Sequence, residues 1–181
     1  MIREEALKLI NEHVKTRNLR KHMIAAEVCM RALAARLGEN EDEWAMAGLL
    51  HDLDYDQTVN DFERHGILTK EILQTYDVSP AMLDAIIAHA GKKTISSKME
   101  LALYAVDPLT GLIVAAALMH PTKKIANVDT GFVMNRFKEK RFAAGADRDQ
   151  IRRGEGLGLS LEEFVGICLG AMQGAAGELG L

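Results

Sequence analysis

Between Leu101 and Met119 the chain carries nineteen residues and one charge, Asp107. No other segment constrains the fold as strongly. The run is nearly long enough to span a bilayer, but Asp107-Pro108 and Gly111 lie near its middle. An ionised aspartate at the centre of a membrane helix costs about 2.5–3.5 kcal/mol on insertion scales. A helix buried within protein accommodates the same run without that cost. The chain must then supply enough other apolar helix to surround it. With 181 residues, 48% of them hydrophobic, it can do so.

The rest of the sequence reads as helices. Apolar residues recur at steps of three and four, and no stretch alternates with period two strongly enough to be a strand. A first amphipathic helix is predicted over about 2–16, with Ile2, Ala6, Leu9, Ile10 and Val14 on one side. A second covers about 19–37 and stops at Gly38. Asn40 and Glu43 open a third, apolar all round from Trp44 to Leu50 and therefore central. It meets His51-Asp52-Leu53-Asp54-Tyr55-Asp56 and ends. A polar loop at about 57–61 and a helix over about 63–76 follow. Ser79-Pro80 starts a helix to about Ala90. Ser97 and Glu100 form a capping box for the long apolar helix, which Pro108 should kink and His120-Pro121 should end. A basic helix is predicted over about 132–143, and Ser160 with Glu163 caps a last one. The expectation is one all-α domain over residues 1–181.

Composition narrows the function classes. Aromatics make up 5% and prolines number three, which favours helix over strand and excludes low-complexity disorder. Two cysteines, Cys29 and Cys168, cannot build a disulfide scaffold and fit a reducing compartment. The charged start MIREEALKLINEHVK lacks the apolar core of a secretory signal, so a cytoplasmic location is expected, with no membrane partner. The net charge of −4 speaks against general nucleic-acid binding. Charge is uneven, however. Seven acidic residues and no Lys or Arg lie between Glu39 and Asp56, while nine Lys/Arg outnumber four Asp/Glu between His120 and Arg153. A basic block in an acidic chain suggests an anionic ligand.

The informative residues are polar ones lodged in apolar helices. His22 begins the stripe 22, 26, 29, 33, and His51 and Asp52 end the most hydrophobic helix. His65 lies in the first turn of its helix, His89 shares an inward face with Met82 and Ile86, and Asp107 follows Leu103 by four. Each alone has a plain structural explanation, as a hydrogen-bonded core residue or a cap. Together they demand more. A buried ionised Asp107 needs a cation or several hydrogen bonds, and no Lys or Arg occurs between Met99 and His120. The partner must come from another helix or from a metal. Imidazoles and carboxylates on facing helices are how bundles hold divalent ions, and that donor set suits Fe, Mn, Zn, Co or Ni. CxxC and HExxH spacings are absent, so any site is assembled by the fold.

His22, then His51-Asp52 in LLHDLDYD, then Asp107 in LYAVDPL resemble the H…HD…D signature of the HD superfamily of metal-dependent phosphohydrolases. His65 in RHGILTKEIL and His89 in IIAHAG resemble the two further histidines of members with a two-metal site. The resemblance covers about residues 19–120 and implies a helical bundle of the HD type, with residues 121–181 packed on it. It implies one or two divalent transition metal ions. His22, His51, Asp52 and Asp107 would hold one, and Asp52 would bridge to a second bound by His65 and His89. Two-metal members often have a histidine pair where this chain has His89-Ala90, and many place Gly or Lys where it has Asp54 and Asp56. Without metal, Asp52, Asp54, Asp56 and Asp107 would repel one another, so metal is expected to stabilise the fold.

The implied reaction is hydrolysis of a phosphoester or phosphoanhydride of a nucleotide or similar small molecule by a metal-activated water. Asp52 would act at the centre, and Asp54 or Asp56 would orient the water or protonate the leaving group. Arg17, Lys21, Lys92, Lys93, Arg136 and Lys140 are candidate phosphate-binding cations. The expected partner is a small anionic, phosphate-containing substrate rather than an extended nucleic acid, and the expected state a monomer or homodimer. The same ligand set would also serve a nucleotide-sensing module without turnover, or a di-iron oxygenase. A purely structural helical domain is the remaining alternative.

Overall fold

The computed structural model describes residues 1–181 as helices and turns, without a strand. In chain order the helices are α1 (Arg3–His13), α2 (Arg17–Leu37), α3 (Glu41–Leu50), α4 (Tyr55–Thr58), α5 (Ile67–Leu73), α6 (Pro80–His89), α7 (Lys98–Met119), α8 (Thr130–Lys138), α9 (Arg148–Arg152), α10 (Leu161–Gly174) and α11 (Ala176–Leu179). Short 3-10 turns lie at Ile125–Asn127 and Arg153–Leu157.

Local chemistry sets the boundaries. α2 stops at Gly38, whose φ of 70° is the left-handed conformation that glycine tolerates. Asn40 Oδ1 accepts the Glu43 N–H at 3.1 Å and opens α3. Glu43 does not complete a capping box. Its carboxylate accepts from the Ser79 hydroxyl, which ties the start of α3 to the start of α6. Ser97 likewise caps α7 alone, because the Glu100 carboxylate turns to the Ser96 N–H at 2.7 Å and to Lys93. Ser160 and Glu163 do form a full box.

The long apolar run is the axis of the fold. Leu103, Val106, Leu109, Leu112 and Ile113 of α7 are buried, and α2, α6 and α9 pack against it. By length and composition α7 could cross a membrane; here its apolar residues form the core. Pro108, expected to kink it, sits inside a continuous helix. Proline has no N–H, so the Tyr104 carbonyl loses its usual donor. The Gln150 side-chain amide of α9 donates to that carbonyl at 2.7 Å.

Residues after His120 share this core, which runs from Ala6 to Leu179, with α10 packed on α2. The basic helix is shorter than expected, because α8 ends at Lys138. Beyond it the Arg148 guanidinium donates to the carbonyls of Ala143 at 2.7 Å and Ala146 at 2.6 Å, holding that stretch as turns. Part of the expected loop at 57–61 is helical in α4, and the helix expected over 63–76 is cut to α5. Cys29 and Cys168 are buried and unpaired.

Gly48 lets α2 and α3 meet. A Cβ there would lie 2.6 Å from the Ala26 carbonyl oxygen. Ala26 is about one turn from His22, and Gly48 about one turn from His51, so this approach governs how close the two imidazoles come. Gly48→Ala is expected to destabilise the protein by about 1–3 kcal/mol, as overpacking does. A urea titration should show a lower midpoint at unchanged slope; an unchanged midpoint would mean the two helices have room to part.

Candidate metal centre

Four imidazoles reach one place from four elements: His22 from the second turn of α2, His51 at the end of α3, His65 just before α5, and His89 at the end of α6. In each ring Nδ1 is engaged on the far side. His51 Nδ1–H donates to the Gly48 carbonyl at 2.8 Å, and His89 Nδ1–H to the Ile86 carbonyl. His65 Nδ1–H donates to Asp54 Oδ1 at 2.9 Å. His22 Nδ1 lies 2.8 Å from Thr110 Oγ1; that hydroxyl gives its own proton to the Asp107 carbonyl at 2.9 Å, so the ring is the donor. Carbonyls and carboxylates only accept. The tautomer is therefore set by these partners, with hydrogen on Nδ1 and a lone pair on Nε2.

The four Nε2 atoms converge on Asp52. Its Oδ2 is 3.6 Å from that of His22 and 3.5 Å from that of His51. Its Oδ1 is 3.6 Å from that of His65 and 3.5 Å from that of His89. The Nε2 atoms of His22 and His51 are 3.1 Å apart, and Asp107 Oδ1 lies 3.1 Å from the first and 3.9 Å from the second. Neighbouring ligands on an ion with bonds of about 2.0–2.1 Å stand about 3.0–3.4 Å apart. His89 Nε2 is buried without a hydrogen-bond partner. Acceptors that face one another repel unless a proton or a cation lies between them. His22, His51 and Asp107 bring their ligand atoms close enough to hold one ion, and Asp52 Oδ1 stands between the Nε2 atoms of His65 and His89. His51, Asp52 and His89 are also close enough to share one.

Protons and cations compete for the same lone pairs. Burial opposes a charge on His22, but the hydrogen bond and charge of Asp107 outweigh it and raise its pKa. Burial likewise opposes a charge on His89, and Asp52 reverses it. His51 lacks so strong a partner, and burial lowers it to about 4. Asp52 and Asp107 fall below the usual carboxylate range: burial works against this, but the surrounding imidazoles prevail. Asp52 is buried, whereas Asp107 is half-buried and opens on a cavity, less enclosed than its place in the apolar run suggests.

Two carboxylates expected to assist the reaction do other work. Asp54 is fully buried, and its carboxylate accepts from the Gly66 N–H at 2.8 Å, the Thr69 N–H at 3.0 Å and His65. It has no free face to orient water or protonate a leaving group; it positions His65. Gly66 suits this clasp, with φ at 77° and no room for a Cβ, which would lie 2.9 Å from that of Ala90. Asp56 lies outside the cavity. Its Oδ2 accepts from the Lys15 N–H at 2.6 Å and the Thr16 N–H at 2.8 Å, and its Oδ1 from the Thr16 hydroxyl at 2.7 Å, which ties α4 to the start of α2.

Over the imidazoles lies a cavity of about 450 Å³, lined by His22, Asp52, His65, His89 and Asp107 together with Leu19, Tyr55, Phe62, Ala90 and Gln150. No Lys or Arg lines it, contrary to expectation. Lys92 pairs with Glu63 at 3.0 Å and Lys93 with Glu100 at 2.7 Å. Arg136 pairs with Glu139 at 2.8 Å and lies over the Phe132 ring. Arg17 and Lys140 are exposed elsewhere on the surface. Lys21 lines a neighbouring cavity of about 380 Å³, which also holds Thr110 and shares His22 with the first. Paired cations satisfied by local carboxylates have little reason to turn inward. Tyr55, Phe62 and Gln150 line the cavity and Thr110 orients His22, but none belongs to the ligand types or basic residues that sequence patterns mark.

A model of the HD domain family matches residues 19–117, more than half of the chain. The chain belongs to the HD domain family. The match contains all six residues of the His/Asp cluster. Among curated relatives, ribonuclease Y of Sulfurovum sp. (strain NBC37-1) is 28% identical over 154 residues, 81% of this chain and 30% of that protein. Ribonuclease Y of Geotalea uraniireducens (strain Rf4) is 30% identical over 115 residues, 61% of this chain and 22% of the relative. The chain thus spans less than a third of the length of these relatives. No solved structure matches it significantly.

Two outcomes follow for an HD domain built this way. A ligating imidazole must be neutral at Nε2. His22 and His89 are raised, so they still hold protons above the ordinary imidazole value of about 6.5. Metal affinity should therefore fall as pH drops from 8 to 6, by up to about tenfold per unit for each proton displaced. Competition against a fluorescent chelator reads this directly, and a Kd indifferent to pH would contradict the assignment. Second, Asp54→Asn should weaken binding around His65 and His89 by about 10–100-fold, as loss of an outer-shell partner does. Binding around His22, His51 and Asp107 should persist. Calorimetric titration with Mn²⁺ separates the two; identical isotherms for variant and wild type would remove Asp54 from the site.

Proposed function

We propose that the protein is a metal-dependent phosphohydrolase, with one or two divalent transition metal ions held by His22, His51, Asp52 and Asp107 and by Asp52, His65 and His89. One observation carries this reading: four Nε2 lone pairs, each with its Nδ1–H engaged, face the two oxygens of a single buried carboxylate. A purely structural core would pair such acceptors with donors. Bound there, such ions lower the pKa of a coordinated water and polarise a phosphoryl oxygen. The chain supplies the rest. Before metal enters, Asp52 and Asp107 are ionised, since protonated imidazoles hold their pKa values down against burial. Thr110, Asp54 and the carbonyls of Gly48 and Ile86 lock the rings in place, so no reorganisation is needed when charge develops. Burial and the charges of Asp52 and Asp107 raise the Tyr55 pKa, so the phenol keeps its proton and offers a donor in the lining.

The absence of Lys and Arg from the lining bears on the substrate. A long polyanion needs cations along its track; a compact phosphoester does not. A nucleotide or similar small phosphoester is therefore the first substrate class to test. The relatives' name favours a second reading, in which the ester is an internucleotide linkage of RNA.

Elemental analysis of tag-free protein should find about one or two equivalents of a transition metal, lost in Asp52→Ala. With the metal found, hydrolysis of nucleotides or short oligoribonucleotides should drop about a hundredfold or more in that variant. Tight nucleotide binding without turnover would make the protein a sensor. A folded protein unable to take up Fe, Mn, Zn, Co or Ni would sink the proposal.

A further inference from the structure

Seven large apolar side chains are exposed, and three of them, Val59, Phe62 and Ile67, fall within nine residues between α4 and the start of α5. Exposed apolar residues scattered singly carry no message, and Val59 and Ile67 lie outside the lining of the cavity over the imidazoles. Phe62 lines that cavity and is 55% exposed, yet it is held in place. Its carbonyl accepts the His65 N–H at 3.3 Å, and the turns on either side close through Asp61 N–H to the Thr58 carbonyl at 2.8 Å and Arg64 N–H to the Asp61 carbonyl at 3.0 Å. Its ring meets those of Tyr55 and His65 edge to face, with centroids 5.9 and 5.5 Å away. Such packing orients an aromatic ring while its exposure leaves much of it open to a partner. The same lining holds no Lys or Arg. Whatever is attached to a phosphate at the imidazoles therefore meets a flat apolar surface and no cation.

We propose that Phe62, backed by Tyr55, is a stacking platform for the nucleobase next to the scissile phosphate. The substrate is then a nucleoside phosphoester, not the phosphate of a sugar or an aliphatic alcohol. The inference rests on the hydrolase reading only in placing the phosphate at the imidazoles. Every base has a π-face, so a ring of this kind selects for a base without reading its identity. A mononucleotide and a nucleotide within RNA present the same chemistry.

Binding, rather than turnover, tests this. The 181-residue chain loaded with Mn²⁺ is titrated calorimetrically with the 5′-phosphonates of adenosine and of ribose, in which carbon replaces the scissile ester oxygen. Wild type should bind the adenosine compound about tenfold or more tightly than the ribose compound. Phe62→Ala should abolish that preference and leave the ribose affinity unchanged, and Phe62→Trp should restore it. Melting curves check that each variant is folded. Equal affinities in wild type, no binding of either compound, or a preference that survives Phe62→Ala would each overturn the platform. A preference that depends on Phe62, with no hydrolysis of the matching phosphates, would uphold the platform and defeat the hydrolase reading. A short oligoadenylate that gains a further tenfold through Phe62 would assign the base to RNA; one no tighter than the mononucleotide would assign it to a free nucleotide.

Discussion

An imidazole whose Nδ1–H is held by an acceptor can offer only a lone pair from Nε2. The centre depends on that constraint being imposed four times at once. For His51 and His89 the acceptor is the carbonyl three residues earlier in the same chain segment, Gly48 and Ile86. These carbonyls lie in the last turn of α3 and α6, where intrahelical partners run out. The two helices must therefore end where they do for the rings to be anchored. For His22 and His65 the anchor comes from elsewhere, Thr110 on α7 and Asp54 ahead of α4. Two rings are thus set by helix termini and two by tertiary packing. Loss of a helix boundary and loss of a packing contact would damage the same cluster by different routes.

The central helix joins this centre to the part of the chain that follows it. Asp107 precedes Pro108, and the carbonyl of Tyr104, which the proline leaves without its donor, is met by Gln150 from α9. Gln150 also lines the cavity over the imidazoles. A residue more than forty positions along the chain from Asp107 thereby supports the helix that carries it. The apolar run, the proline inside it and the polar side chain that completes it form one device. It places an acidic ligand in a core helix without exposing an unsatisfied carbonyl.

Much of this was legible in the residues, for definable reasons. Spacing of three and four, the caps at Asn40, Ser79 and Ser160, and Gly38 as a stop are local signals, and the helices follow them. The set His22, His51, Asp52, His65, His89 and Asp107 stood out because each is polar within an apolar stripe or a helix end, and the fold brings all six together. Nonlocal competition was not legible. Glu43 and Glu100 look like capping-box partners, yet each is drawn away, by Ser79 and by Ser96 with Lys93. The cations offered for phosphate have carboxylate neighbours, visible only once Glu63 meets Lys92 and Glu139 meets Arg136. Tyr55, Phe62 and Gln150 carry no ligand chemistry, so nothing in their spacing marks them as cavity wall.

The LLHDLDYD segment places three aspartates within five residues, and the structure sorts them by what faces each carboxylate. Asp54 is met by two backbone N–H groups and an imidazole N–H, and Asp56 by two backbone N–H groups and a hydroxyl. Both are neutralised by donors the chain provides, so their work is structural. Asp52 is met by four nitrogens whose tautomers leave no hydrogen to give. Its negative charge can be balanced only by something that enters, a proton or a cation. Burial raises the stakes, because an unbalanced charge costs far more there than in water. Donor count, more than burial or sequence position, therefore separates the carboxylate built for chemistry from the two that hold the frame around it.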